Sequence, residues 1–187
     1  MPKTFTLSIA GLQRDLILCK VNDELTIAAF VMFSDVELTQ ACATELLKRA
    51  PEFDVILTAE AKGIPLAYEM ARQSGKNYVL ARKMSKLYMF EPIEFEVQSI
   101  TTARKQKLFL DSHEMKYLSG KRVLIVDDVI STGGSLYALE RLCNLAMGEI
   151  VGKCAVLAEG VAQQRDDIIY LEKLPTFSTS EIFTPEG

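Results

Sequence analysis

Apolar and polar positions alternate at the start of this chain and then recur at helical spacing. In TFTLSI, Phe5, Leu7 and Ile9 share one face, and RDLILCKV comes after Ala10-Gly11, so a pair of strands is predicted there. Residues 1–35 stand apart from the remainder of the chain. Ser34 and Glu37 in SDVE have capping-box spacing, and Leu38, Cys42, Leu46 and Leu47 then recur at helical intervals until Pro51. From there short apolar runs alternate with amphipathic stretches. DVILTA (54–59) reads as a strand, GIPLAYEMARQSG as a helix stopped by Gly75, and YVLAR (78–82) as the next strand. Residues 84–106 are polar and less regular, with KLFL (107–110) a strand. RVLIVD is apolar without alternation, as expected of a strand covered on both faces. GSLYALERLCNLAMG reads as a helix ending at Gly148, and EIVGKCAVLAEG as a last strand interrupted near Gly152. Strands alternating with helices predict an α/β fold: a central parallel sheet flanked by helices, with right-handed crossovers.

Composition narrows the picture only a little. The 187 residues, 49% hydrophobic and 25% charged, suit one globular domain. A net charge of −4 argues against general attraction to nucleic acid or anionic lipid. No apolar run approaches the roughly 20 residues of a membrane span, and MPKTFTLSIAG lacks the parts of a signal peptide, so a cytoplasmic location is expected. Cys19, Cys42, Cys143 and Cys154 have no metal-binding spacing, and neither zinc nor a disulfide framework is expected.

In sheets of this kind ligands bind beyond the carboxyl ends of the strands. After DVILTA comes EAKG, with Glu60, Ala61, Lys62 and Gly63. After YVLA comes RKMSK, with Arg82, Lys83 and Lys86. After RVLIV comes DDVISTGGS. In that segment the small residues from Ser131 through Thr132, Gly133 and Gly134 to Ser135 let backbone N–H groups turn inward at the start of a helix, which suits a phosphate. It is not a Walker A loop, because no Lys-Ser/Thr comes after the glycines. Asp127 and Asp128 would repel a polyanion but make good acceptors for hydroxyls, with a divalent ion held nearby. Cations from the other two strand ends would meet further negative charge. The pattern asks for a sugar phosphate that carries a second anionic group.

VLIVDDVISTGGS resembles the signature of the type I phosphoribosyltransferases throughout: an apolar strand, two acids and a T-G-G turn. The resemblance implies that family's fold, a helix-flanked parallel sheet with a small hood built from the N-terminal segment. It divides a single domain, 1–187, into hood 1–35, core 36–160 and a mobile catalytic loop over 84–106. It also implies phosphoribosyl pyrophosphate as substrate, used with Mg2+ that Asp127 and Asp128 hold indirectly. Those two acids would take the ribose 2′ and 3′ hydroxyls. Val129 and Ile130 would lead into Ser131–Ser135, the cradle of the 5′-phosphate. Ala61-Lys62-Gly63 falls at the pyrophosphate loop, and Arg82, Lys83 and Lys86 resemble the basic cluster of the purine branch. Asp127, Asp128 and Lys86 are the implied catalytic residues.

AEAKGIPLAYEMA, LARKMSK and QSITT are most similar to adenine and xanthine phosphoribosyltransferases and to the effector domain of the bacterial purine repressor. Adenine enzymes carry an acid beside Tyr in the mobile loop, whereas QSITTARKQ is closer to the xanthine enzyme. KGIPLAY is similar to the non-catalytic repressor, but a DNA-binding winged helix is not expected ahead of this core. The expectation is a purine phosphoribosyltransferase of salvage metabolism, working as a homodimer without nucleic-acid or membrane partners. A phosphoribosyl-pyrophosphate sensor and an enzyme for a pyrimidine stay open as alternatives. Base selection is expected from Arg14–Leu25 and Glu159–Gln163. His113, in LDSHEM, reads as a surface turn residue.

Overall fold

The computed structural model of the chain describes residues 2–98 and 105–183. Its elements run β1 (Thr4–Ile9), β2 (Leu12–Lys20), β3 (Leu25–Ala29), α1 (Val36–Arg49), β4 (Val55–Ala59), α2 (Ile64–Ser74), β5 (Asn77–Ala81), β6 (Ile93–Gln98) and β7 (Lys105–Leu110). They continue with α3 (Ser112–Leu118), β8 (Arg122–Ile130), α4 (Gly134–Leu145), β9 (Glu149–Glu159), a 3-10 turn over Gly160–Gln164, β10 (Ile169–Leu174), β11 (Thr176–Ser178) and α5 (Thr179–Ile182).

Five parallel strands in the order β10-β9-β8-β4-β5 make the central sheet. Every residue of β4 is buried, because helices cover both faces. Successive strand residues point to opposite faces, so one apolar run serves two cores. Val55, Leu57, Val123 and Ile125 face α3 and α4, while Ile56, Leu124 and Val126 face α1 and α2. The irregularity expected near Gly152 is a bulge: Val123 pairs with Ile150 and Leu124 with Gly152. The core sheet does not end at residue 160, as expected, but gains β10 as an edge strand on β9.

The hood also differs from expectation. It is a four-stranded antiparallel sheet, β1-β2-β3-β11, and its last strand comes from residues 176–178. β11 is fixed by the Phe5–Phe177 ring contact (centroids 5.3 Å apart) and by a buried hydroxyl pair, Thr26 Oγ1 to Thr179 Oγ1, at 3.0 Å. Ile9, Leu16 and Ala28 carry the hood onto α1 and α2 in one continuous core.

Three local expectations change. α1 is capped by Asp35, not Ser34: Asp35 Oδ1 accepts from Leu38 N at 3.0 Å. No capping box forms, because with Asp35 as N-cap the third helical position is Leu38; Glu37 instead pairs with Arg14 of β2 (Nη2 to Oε2, 2.7 Å), which also engages Asp35 (Nε to Oδ2, 2.6 Å). β6 lies within 84–106 and pairs antiparallel with β7, and Phe95 docks on Tyr137 and Arg141 of α4. The alternation of Ile93, Phe95 and Val97 carried that signal; most of QSITT lies outside the described residues. His113 sits in the first turn of α3, exposed, on a helix opened by a true capping box between Asp111 and Glu114.

Candidate phosphate and sugar site

β8 continues through the two acids to Ile130, so Asp127 and Asp128 stand on the strand itself, not in the loop after it. The Ile130 side chain is buried in the core and pins the start of the turn. Strand geometry sends the two acids to different cavities. Asp127 borders a cradle of about 50 Å³ lined by Val129, Ile130 and Ser131–Leu136. Asp128 borders a cleft of about 270 Å³ lined by Ile27–Val31, Lys62, Val129, Ser131, Glu159 and Leu174.

The small cradle is made by backbone. Gly133 adopts φ 82°, a left-handed conformation, and stands as the N-cap of α4 without a side-chain cap. The main-chain groups that open α4 stand at the positive end of the helix, with no side-chain cap at Gly133. Thr132 places a hydroxyl beside them. The result suits one tetrahedral oxyanion.

The larger cleft is made by side chains. Asp128 is buried, and its Oδ2 has no hydrogen-bond partner; Lys62 Nζ stands 3.8 Å away. Asp127 Oδ1 accepts from the Asp128 N–H at 2.9 Å. Burial, then the neighbouring Asp128 charge, pushes the Asp127 carboxyl well above the ordinary carboxylate range. Burial also raises the Glu159 carboxyl, with the Lys62 charge acting the other way. Lys62 therefore works between two acids. It is held in place by Gly63, where a Cβ would come within 2.6 Å of Thr58 Oγ1 and 3.0 Å of Asp127 Oδ1. Only a residue without a side chain lets this loop rest on the end of β8.

Lys62, Gly63, Asp127, Asp128, Val129, Ile130, Ser131–Ser135 and Glu159 are thus brought together, while Ala61 is exposed and lines neither cavity. Arg82, Lys83 and Lys86 line neither cavity. They gather beside them around Glu60, whose carboxylate accepts from the Lys83 N–H (2.9 Å) and pairs with Arg82 Nη1 (3.5 Å). The Lys83 N–H first, then Arg82 and the Lys86 charge, hold the Glu60 carboxyl below its usual range against its burial. Sequence reasoning passed over Glu60 as a counter-ion, although its place between a strand end and three cations was visible. It also placed base selection in Arg14–Leu25. None of those residues lines the larger cleft; Arg14, Asp15, Leu16 and Ile17 border a neighbouring cavity of about 260 Å³ with Ala29–Val31, and the Arg14 guanidinium is paired with Asp35 and Glu37. The hood contributes Ile27–Val31 instead, and of Glu159–Gln163 only Glu159 reaches the cleft.

The phosphoribosyl transferase domain family matches residues 39–183. A hypoxanthine/guanine phosphoribosyltransferase from Methanococcus voltae is 38% identical over 125 residues, 66% of this chain and 63% of that protein. An adenine phosphoribosyltransferase from Thermotoga petrophila is 40% identical over 101 residues, 54% of this chain and 56% of that protein. The chain therefore spans less than two thirds of the length of these relatives. Among solved structures, adenine phosphoribosyltransferase from Thermoanaerobacter pseudethanolicus superposes with a TM-score of 0.65 at 27% identity, covering 76% of this chain and 84% of that one. The parallel sheet, the acid pair at the end of β8 and the uncapped turn after it agree with these matches, and the chain belongs to the phosphoribosyltransferase family, type I, in its purine branch.

Proposed function

We propose that this protein transfers the 5-phosphoribosyl group from phosphoribosyl pyrophosphate to a purine base, releasing pyrophosphate and a nucleoside monophosphate. The observation that carries the reading is the pairing of two cavities across β8: a backbone cradle fit for one phosphate, and beside it an acid-lined cleft roomy enough for a sugar and a base. The names of the relatives, adenine and hypoxanthine/guanine phosphoribosyltransferase, support a purine. QSITTARKQ favours a xanthine-type base over adenine within that class.

Ser131–Ser135 would hold the 5′-phosphate, and Asp127 and Asp128 the ribose hydroxyls. Lys62 would meet the pyrophosphate as negative charge builds on it. Arg82, Lys83 and Lys86 would take part of that charge once Glu60 exchanges them for the ligand. Glu159 and the Ile27–Val31 edge would face the base. Rate enhancement in such a site comes from positioning and electrostatics, with no covalent nucleophile. The stretch 84–106 would cover the centre and exclude water, which competes for the activated sugar.

The residues fit a magnesium ion brought in with the substrate. Asp128 presents a buried oxygen without a partner, and no group of three His, Cys, Asp or Glu able to hold a metal occurs among the described residues. One or two carboxylates with the remaining ligands from phosphates is the usual arrangement for this ion. When bound it would offset charge on the departing pyrophosphate. Asp127 and Asp128 would orient its shell.

Among the described residues no helix is long and apolar enough to cross a membrane, and Cys42, Cys143 and Cys154 are free and buried. Both support the cytoplasm as its place of work. Family likeness supports a homodimer. Incubation with phosphoribosyl pyrophosphate and magnesium, adding adenine, xanthine, hypoxanthine or guanine in turn, tests the assignment: pyrophosphate should appear with one base. Tight binding with no release from any base would make the protein a sensor instead.

A further inference from the structure

Beside the phosphate turn lies a charged cluster that links β9, α4 and the chain after the 3-10 turn. Lys153 donates to Asp167 Oδ2 at 2.7 Å and pairs with Glu140 of α4. Arg165 places Nε on Asp167 Oδ1 (2.8 Å) and Nη2 on Oδ2 (2.7 Å). This two-point grip fixes the plane of the guanidinium. Nη1 is left as the nitrogen of the fork with no hydrogen bond among the described residues. A Cβ at Gly133 would stand only 3.1 Å from this same Nη1, so the open edge of Arg165 rests against the turn that forms the cradle.

The charges around the cradle give that position meaning. Its lining includes Asp127 and no basic side chain, so a phosphate held there by backbone alone would sit beside an acid without a compensating cation. Lys62 is committed to the other cavity. The cluster of Lys153, Arg165, Glu140 and Asp167 is neutral in sum and does not oppose an incoming anion. Gly133 leaves the path open, and any side chain there would meet Nη1.

We propose that Arg165 is a binding residue for the phosphate of the sugar, reaching across Gly133 with Nη1 while Asp167 keeps the other two nitrogens. The inference rests on the reading that Ser131–Ser135 hold that phosphate. It adds a cation from outside the signature segment and makes Asp167 the residue that positions it.

Calorimetric titration with ribose 5-phosphate and, separately, with magnesium pyrophosphate tests this on the wild type and on Arg165→Gln, Arg165→Lys and Asp167→Asn. Arg165→Gln should weaken ribose 5-phosphate about tenfold, the worth of one charge-assisted hydrogen bond, and leave pyrophosphate unchanged. Arg165→Lys should fall between, and Asp167→Asn should lose less than Arg165→Gln because the cation remains. In turnover, KM for phosphoribosyl pyrophosphate should rise while kcat holds. Undiminished ribose 5-phosphate affinity in Arg165→Gln overturns the proposal. So does equal weakening of both ligands, or an Asp167→Asn loss as large as that of Arg165→Gln, since either marks a structural prop. A wild type that binds pyrophosphate but not ribose 5-phosphate removes the phosphate reading itself, before any variant is measured.

Discussion

The cradle and the cleft share β8 but are built by opposite means. One short stretch, Asp127 to Leu136 with Asp128 left out, lines the cradle, and most of its donors are main-chain groups at a helix start, with the Thr132 hydroxyl beside them. Six separate pieces of chain line the cleft: Ile27–Val31, Lys62, Asp128-Val129, Ser131, Glu159 and Leu174. The first can recognise a group that never varies, because main-chain donors are insensitive to side-chain exchange. The second can be retuned one side chain at a time, which suits the variable half of a ligand. The cleft also holds a buried carboxyl, Asp128, and a half-buried one, Glu159, with only the exposed Lys62 between them, so it is the costlier region to fold.

Removing the acids where the two regions meet should have the largest effect. Alanine at both Asp127 and Asp128 should abolish nucleotide formation, a loss of at least about a thousandfold in kcat/KM. Pyrophosphate release measures it, with near-ultraviolet circular dichroism to confirm an intact core. Normal turnover by this variant would end the assignment.

Gly63→Ala asks whether the regions are mechanically separate. The new Cβ would press on Thr58 Oγ1 and Asp127 Oδ1, costing about 1–3 kcal/mol of stability by overpacking. Lys62 would be displaced, lowering kcat/KM about 10–100-fold, while ribose 5-phosphate should still bind. Equal loss of ribose 5-phosphate binding would show that cradle and cleft move together.

Glu159→Gln probes the cleft alone. It should change KM for the base by about tenfold and shift preference among purines, leaving KM for phosphoribosyl pyrophosphate as it was. A change confined to phosphoribosyl pyrophosphate would move Glu159 out of the base half.

The smallest effect is a gain. Asp127 is raised in the folded protein, so the folded state holds its proton at a pH where the unfolded chain has released it. Its contribution therefore favours folding at low pH and is lost as pH rises from the ordinary carboxylate range toward the folded value. Asp127→Asn should leave the melting temperature unchanged near pH 4 and raise stability by about 1 kcal/mol at pH 8. A constant difference across that range would show that the carboxyl titrates normally.

The same contrast explains what could be read from the residues. The cradle was legible because its residues are adjacent and their small size and helix-start position have one physical reading. The parallel sheet was legible because both-face burial leaves unbroken apolar runs such as Val123–Val126. The walls of the cleft were not. Ile27–Val31 joins Glu159 and Leu174 only through the folded sheet, and no local period records that meeting. β11 was missed for the same reason, since a three-residue strand has too little pattern to announce a partner far along the chain. Glu37 shows a local rule overruled: the cap falls on Asp35, one residue later than the box spacing requires, and the Glu37 carboxylate pairs with Arg14.

The Thr26–Thr179 pair, 153 positions apart, also sets an order of events during synthesis. The core strands can assemble as they leave the ribosome, because β4, α2 and β5 adjoin in sequence. The hood cannot close until residues 176–179 emerge, and Ile27–Val31 stays a loose edge until then. A nascent chain can therefore form the turn after β8 before the Ile27–Val31 edge of the cleft is fixed by β11.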